Sequence, residues 1–137
     1  MCAVLSSYLI ERLNRDEEIV KGTDIIVPVP LSRSRRRQRG FNQSELLAEV
    51  LSRQYHKLIS ANNLVRVRET PAQASLSRAE RLQNLEGAFR LKRPEEFSGK
   101  VVLLVDDVLT TGATAAEISR LLKQAGTKTV YVLVIAR

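Results

Sequence analysis

Two adjacent carboxylates and a hydroxyl-rich loop stand close together near the end of this 137-residue chain. Asp106 and Asp107 follow the apolar run 101–105, which predicts a strand buried on both faces, as in a parallel sheet. Residues 110–114 lead into a predicted helix, and the first N–H groups of a helix bind phosphate. This pattern suits a sugar phosphate whose hydroxyls face the carboxylates and whose phosphate occupies the loop.

The run 101–114 resembles the phosphoribosyl-pyrophosphate (PRPP) signature of the type I phosphoribosyltransferases. In that family the acidic pair holds the ribose 2′ and 3′ hydroxyls, and the loop holds the 5′-phosphate. The resemblance implies that Asp106 and Asp107 are the catalytic residues. It assigns the 5′-phosphate of PRPP to Thr110, Thr111, Gly112, Ala113 and Thr114. The alternative is an ordinary strand–turn–helix junction in which the aspartates only cap the helix.

A cluster of arginines is the second candidate for chemistry. Five arginines occupy positions 33–39, directly after a predicted strand over 24–30. In a parallel sheet this segment opens on the same edge as Asp106. Guanidinium groups bind phosphate through paired hydrogen bonds, so a pyrophosphate site is one interpretation. A solvated basic loop and a nucleic-acid contact are two others.

Further segments narrow the resemblance to the ComF/GntX branch of these transferases. They are Pro28-Val29-Pro30, residues 39–43, residues 66–73 and the group of Arg81, Asn84, Ala88 and Phe89. With the PRPP signature they cover nearly everything from residue 24 to 137. The resemblance implies that the loop after the first strand and the segment 66–73 approach pyrophosphate. The pyrophosphate-binding candidates are Leu31, Ser32, Arg33, Arg39, Arg66 and Arg68.

Cysteine and histidine content restricts the metals that the chain can bind. Cys2 and His56 are the only residues of their types, so one chain cannot build a zinc site of Cys and His ligands. The N-terminal four-cysteine zinc element common in the ComF branch is therefore expected to be absent. The metals that remain possible are hard cations. Mg²⁺ bound through the phosphates of PRPP, without direct protein ligation, meets this restriction.

The remaining pattern predicts one α/β domain over residues 1–137, with a mainly parallel sheet flanked by helices. The resemblance implies a type I phosphoribosyltransferase-like fold. Residues 16–22 are predicted to form a polar connection, and residues 94–99 a turn. Predicted helices are 3–14, 42–55 capped by Asn42 or Ser44, a short helix capped by Ser77, and 113–125 ended by Gly126. Predicted strands are 24–30, 63–67, 87–91 at an edge, 101–105 and 129–135.

These observations favour a phosphoribosyltransferase that moves the phosphoribosyl group of PRPP to an unknown acceptor and releases pyrophosphate, with a place in nucleotide metabolism. The alternative is a non-catalytic PRPP-binding or DNA-uptake (competence) component, because the ComF branch is associated with DNA uptake. The net charge of +7 suits an anionic partner, either PRPP or a nucleic acid. The sequence leaves open whether the chain forms a homodimer. No run approaches the roughly 18 to 20 apolar residues of a membrane span, and a secretory signal pattern is lacking, so we expect a cytoplasmic protein.

Overall fold

The computed structural model describes residues 17–31, 36–38, 40–68, 77–108 and 112–136. In chain order its main elements are α1 (Glu17–Gly22), β1 (Ile25–Pro28), α2 (Gln43–Tyr55), β2 (Leu58–Ile59), β3 (Leu64–Arg66), α3 (Arg78–Leu85), β4 (Phe89–Leu91), a 3₁₀ turn (Pro94–Phe97), β5 (Val101–Val108), α4 (Ala113–Gln124) and β6 (Thr129–Ala136). Within this part of the chain, no helix has the length and apolarity needed to cross a bilayer.

A four-stranded parallel sheet forms the centre of the fold, with the strand order β2-β1-β5-β6. Ile25 and Val27 of β1 face the same side as Val102 and Leu104 of β5, in contact with α4. The intervening residues face α2, so both sides of the central strands are buried. This two-sided burial explains the uninterrupted apolar runs and confirms the predicted α/β class.

A second, two-stranded sheet lies beside the first. β3 pairs with β4 in an antiparallel arrangement, and Leu64, Phe89 and Leu91 pack into the apolar cluster on the α4 side. The predicted strand 87–91 is therefore an edge strand of a separate sheet. The two-residue β2 was not predicted, since so short a strand leaves almost no periodic signal.

The first described helix corrects one prediction. Residues 16–22 were expected to be a polar connection, but α1 occupies Glu17–Gly22. Ile19 is half-buried, and its carbonyl accepts a hydrogen bond of 2.8 Å from the Thr23 hydroxyl at the end of the helix. The predicted helix over 3–14 lies outside the described residues.

Local signals at other helix ends are confirmed. The Ser77 hydroxyl accepts from the Glu80 N–H at 3.2 Å, while the Ser77 N–H donates to the Glu80 carboxylate at 2.8 Å, which forms the predicted capping box. Gly126 follows α4 with a φ of 90°, the left-handed conformation expected of a glycine cap.

The fully buried Asn63 fixes the connection between β4 and β5. Its Nδ2 donates to the Arg93 carbonyl at 2.8 Å and to the Glu96 carboxylate at 2.9 Å. Its Oδ1 accepts from the Arg93 N–H at 2.8 Å. An apolar side chain could make none of these three hydrogen bonds, so Asn63 holds the 3₁₀ turn against the start of β3.

Glu117 connects α4 to the turn between α3 and β4. Its buried carboxylate accepts from the Arg120 guanidinium at 2.6 and 3.0 Å and from the Gly87 N–H at 3.4 Å. The hydrogen bond from Arg120 is the main cause that holds the pKa of Glu117 below its ordinary value of 4.5. The fold is therefore stabilised by the ionised form of this side chain.

We expect Asn63→Ala to lower the free energy of unfolding by about 3 kcal/mol, because three hydrogen bonds of a buried amide are lost and their partners remain. The melting temperature should fall by about 10 °C for a domain of this size. Asn62→Ala, at the exposed neighbouring position, is the matched control and should leave urea unfolding unchanged. Equal stability of the two variants would contradict the anchoring role of Asn63.

The lowered pKa of Glu117 predicts a specific acid dependence. A carboxylate with a depressed folded-state pKa contributes stability above its unfolded value, and this contribution is lost as the pH falls through the folded value. Urea unfolding of Glu117→Gln should therefore vary less steeply with pH below about 4.5 than that of the unmodified chain. Glu49→Gln removes an exposed partner of Arg53 and is the control. Parallel pH profiles of Glu117→Gln and the unmodified chain would refute this assignment.

Candidate functional site

Asp106 lies near the carboxyl end of β5, where ligands of parallel sheets bind. It is only 7% exposed and is paired in register with Val134 of β6. By strand alternation it shares the side of Leu104, the side of the sheet that α4 covers. Asp107 is the next residue of the same strand. The two predicted carboxylates thus belong to one strand end, beside the helix that follows.

The helix α4 begins at the predicted phosphate loop. Gly112 is its N-cap, with a φ of 77°, and no side chain at this position caps the helix. A residue with a β-carbon is strained in this left-handed conformation, so glycine lets the chain turn directly into the helix. Ala113 is buried and Thr114 is half-buried at the first helical positions. Thr110 and Thr111 lie outside the described residues.

The end of β1 is fixed to the same edge. The Val29 N–H donates to the Val105 carbonyl at 2.9 Å, immediately before Asp106. The Val29 carbonyl accepts from Nδ2 of the buried Asn42 at 3.0 Å. Oδ1 of Asn42 accepts from the Ser44 N–H at 3.0 Å and caps α2, as predicted. Val29 and Asn42, which stand on either side of the arginine-rich segment, are therefore held together.

Of the pyrophosphate candidates in this segment, Leu31 is described and half-buried. Ser32, Arg33 and Arg39 lie outside the described residues. Arg36 pairs with Glu45 at 3.8 Å, with most of its side chain exposed. The segment thus starts at the sheet edge that carries Asp106, as predicted from the sequence. The pyrophosphate-binding roles of Ser32, Arg33 and Arg39 stay predictions.

Arg66 is the last residue of β3, and Arg68 lies two residues beyond it. The Arg66 guanidinium stands 5.2 Å from the centre of the Phe89 ring, and its Nε donates to the Arg68 carbonyl at 3.3 Å. Arg68 Nη2 donates to the carbonyls of Asn84 at 2.6 Å and Glu86 at 2.7 Å, at the end of α3. A cation near a helix C-terminus is stabilised by the helix dipole. In this conformation Arg68 holds that helix end, and its binding of pyrophosphate stays a prediction.

The structural roles of two supporting residues were not predicted from the sequence. Asn42 was predicted only as a cap, and its bond to Val29 has no local signal because thirteen positions separate the residues. Glu117 has no signal either, since a glutamate within an amphipathic helix is ordinarily solvated. One turn beyond Gly112, it ties the start of α4 to Gly87.

The arrangement can hold two parts of a sugar phosphate at once. Asp106 supplies an acceptor at the strand end, where a hydroxyl can donate to it. The start of α4 supplies the positive end of a 12-residue helix to a phosphate. Because both belong to one side of the sheet, a single small ligand can reach the two.

Comparison with known proteins places the chain in a family. A family model described as "Phosphoribosyl transferase domain" matches residues 4–137. Competence protein F of Haemophilus influenzae is 42% identical over 132 residues, which are 95% of this chain and 57% of that protein. DNA utilization protein YhgH of Escherichia coli K12 is 45% identical over 114 residues, 83% of this chain and 49% of that protein. Competence protein ComFC of Streptococcus pneumoniae is 37% identical over 134 residues, 98% of this chain and 55% of that protein.

Solved structures share the fold at low identity. Adenine phosphoribosyltransferase from Saccharomyces cerevisiae superposes with a TM-score of 0.59 at 16% identity, over 98% of this chain and 68% of that one. A further adenine phosphoribosyltransferase gives a TM-score of 0.60 at 16% identity, over 98% and 69%. The chain spans about half the length of the curated relatives it matches. It belongs to the phosphoribosyl transferase domain family and is a ComF-family phosphoribosyltransferase-like protein.

Proposed function

We propose that this chain binds PRPP and transfers its phosphoribosyl group to an acceptor that is not yet identified, with release of pyrophosphate. The observation that supports this most is the position of the buried Asp106 on the side of the sheet covered by α4, whose first turn begins at the left-handed Gly112. A carboxylate for hydroxyls and a helix start for phosphate are the two anchors that a ribose 5-phosphate group needs.

The reaction requires precise holding of the sugar more than it requires a reactive side chain. The bond between the anomeric carbon and pyrophosphate breaks, and pyrophosphate leaves with the electron pair. A nucleophilic atom of the acceptor forms the new bond to that carbon, and its proton is lost to solvent or to the leaving group. Positive charge develops on the ribose ring, so Asp106 and Asp107, which would hold the hydroxyls, also stabilise it electrostatically. Residues Thr110 to Thr114 would hold the 5′-phosphate.

Magnesium fits this site as a companion of the substrate. Among the described residues, no group of three or more His, Cys, Asp or Glu side chains could hold a metal ion. Mg²⁺ commonly keeps several waters and binds substrate phosphates with one or two carboxylates. When bound with PRPP it would neutralise charge that grows on pyrophosphate. The protein would add arginines to the same task, from Arg33 and Arg39 or from Arg66 and Arg68.

A non-catalytic component of DNA uptake is the second candidate. The names of the relatives, competence protein and DNA utilization protein, favour it. Such a component would bind PRPP without turnover, or bind nucleic acid or partner proteins. Pyrophosphate release from PRPP in the presence of candidate acceptors would separate the two functions. With either function, we also propose that residues 1–137 form a single domain. We propose further that the protein is cytoplasmic and forms a homodimer.

We expect Gly112→Val to lower the affinity for ribose 5-phosphate at least tenfold. A β-branched residue is strained at a φ of 77°, which costs about 1–2 kcal/mol, and relief of the strain would displace the N–H groups of the loop. Isothermal titration calorimetry measures the change. Gly99→Val is the matched control, because Gly99 has a φ of 72° and open space around it at the other edge of the sheet. Unchanged affinity in a folded Gly112→Val chain would refute the phosphate loop.

Asp106→Asn should weaken PRPP binding roughly ten- to a hundredfold, because a hydrogen bond to a charged acceptor contributes about 1.5–3 kcal/mol. The melting temperature should change little if the carboxylate serves a ligand. Asp24→Asn is the control, since the Asp24 carboxylate accepts from the Val101 N–H at 2.8 Å, at the opposite edge of the sheet. An Asp106→Asn chain that melts early and binds PRPP normally would show a capping role instead.

A further inference from the structure

The strand β6 is an edge strand, because among the described residues it pairs with β5 alone. Its eight residues include no charged residue, no proline and no glycine. An edge strand presents a row of unpaired N–H and C=O groups, and proteins ordinarily protect such a row with charges, with prolines or by keeping the strand short. The other edge strand of this sheet, β2, is protected in that way, because it has only two residues. β6 lacks all three protections.

Both faces of β6 are open to solvent at its centre. Tyr131 pairs in register with Leu103 on the α2 side of the sheet, whereas Val132 pairs with Leu104 on the α4 side. Tyr131 is 36% exposed and Val132 is 42% exposed. Successive side chains of a strand point to opposite faces, so neither helix layer fully covers the middle of β6. A further strand can therefore reach the middle of β6 from the side.

The sequence of β6 is complementary to itself in an antiparallel arrangement. A twofold axis through Val132, perpendicular to the sheet, would bring this residue opposite its own copy. Val130 would then lie opposite Val134, and Tyr131 opposite Leu133. Each pair joins residues of the same face, because its members are separated by an even number of positions. Pairs of β-branched residues, and pairs of an aromatic with an aliphatic residue, stabilise neighbouring strands.

The distribution of charge favours a second copy of the chain over an unrelated strand. Lys128, directly before β6, would lie opposite position 136, so no two charged residues would face each other in the paired strands. Complementary charges are a main source of specificity between different partners, and β6 offers none. A second copy supplies an uncharged strand of matching pattern without such selection. Closed twofold pairing is also the commonest symmetry of protein assemblies.

We propose that β6 pairs antiparallel with β6 of a second copy about a twofold axis at Val132, which joins the two four-stranded sheets into one. This inference rests on the homodimer proposed above and names its surface. An eight-residue strand is about 26 Å long, and packed layers about 10 Å away on either side give the contact a width of about 20 Å. The dimer would bury about 1,000 Å² in total, the lower limit of a specific interface, so it should dissociate on dilution.

Opposite charges at position 132 test both the surface and the axis. Sedimentation equilibrium between about 1 µM and 1 mM, the range of a small interface, gives the dissociation constant of the unmodified dimer. Val132→Lys and Val132→Glu should each raise this constant at least about tenfold, because like charges would face each other. An equimolar mixture of the two variants should dimerise at concentrations where each variant alone is monomeric, since the facing charges then attract.

The matched control places the same charges on the other edge strand, as Leu58→Lys and Leu58→Glu. Leu58 of β2 is 73% exposed, so these variants should fold and keep the dissociation constant of the unmodified chain. Dimers that are lost in the Leu58 variants but kept in the Val132 variants would overturn the inference. A mixture of folded Val132 variants that stays monomeric would overturn the twofold pairing.

Hydrogen exchange gives a check that needs no substitution. The amides of residues 129–136 should exchange more slowly in the unmodified chain at dimer concentrations than at monomer concentrations, because pairing protects the outer N–H groups of the edge strand. The amides of β2 should show no such difference and are the internal control. Equal exchange of β6 at both concentrations would overturn its place in the interface.

The outcomes also separate this inference from the proposed function. A chain that stays monomeric over the whole concentration range would overturn both the surface and the homodimer, and would leave PRPP binding to its own test by calorimetry. A dimer that tolerates both Val132 variants would overturn the surface alone. A chain that dimerises through Val132 but does not bind PRPP would support the surface and refute the proposed function.

Discussion

The buried amide of Asn42 makes the interactions on which the edge of the sheet that carries Asp106 depends. With one nitrogen it holds the Val29 carbonyl, and with its oxygen it caps α2. Val29 in turn is bonded to Val105, the residue before Asp106. One side chain therefore sets the end of β1, the start of α2 and, through Val105, the neighbourhood of the candidate carboxylate. No apolar residue could do this, because the Val29 carbonyl and the Ser44 N–H would lose their partner.

The two edges of the parallel sheet differ in the helix ends that they carry. At the edge where strands end, the start of α4 offers N–H groups and the positive end of its dipole. At the other edge, α1 and α4 end, and Lys21 and Lys123 in their last turns complement the negative dipole ends. Lys100 and Lys128 belong to no helix, so dipole compensation does not explain them.

Features encoded within a few residues could be predicted from sequence, and features that depend on distant partners could not. The uninterrupted apolar run at 101–105 and the capping box at Ser77 are local patterns, and both are confirmed. The prediction of a polar connection over 16–22 was wrong. The helix there is stabilised by tertiary burial of residues such as Ile19, which composition alone does not reveal. The positions of Asp106 and Gly112 could be predicted, because they stand where the predicted strand ends and where the predicted helix begins. The hydrogen bond between Asn42 and Val29 could not be predicted, because it joins residues with no shared periodicity.

Transfer from PRPP needs no covalent nucleophile, so the demand on the protein is rigid placement of its anchors. The contacts of Arg68 and Glu117 meet part of that demand from outside the site. Arg68 holds the Glu86 carbonyl on one side of the turn between α3 and β4, and Glu117 accepts from the Gly87 N–H on the other. The second sheet and the first turns of α4 are thereby joined through two adjacent residues. The start of α4, where we propose that the phosphate binds, is thus supported from the side by the hydrogen bond between Glu117 and the Gly87 N–H.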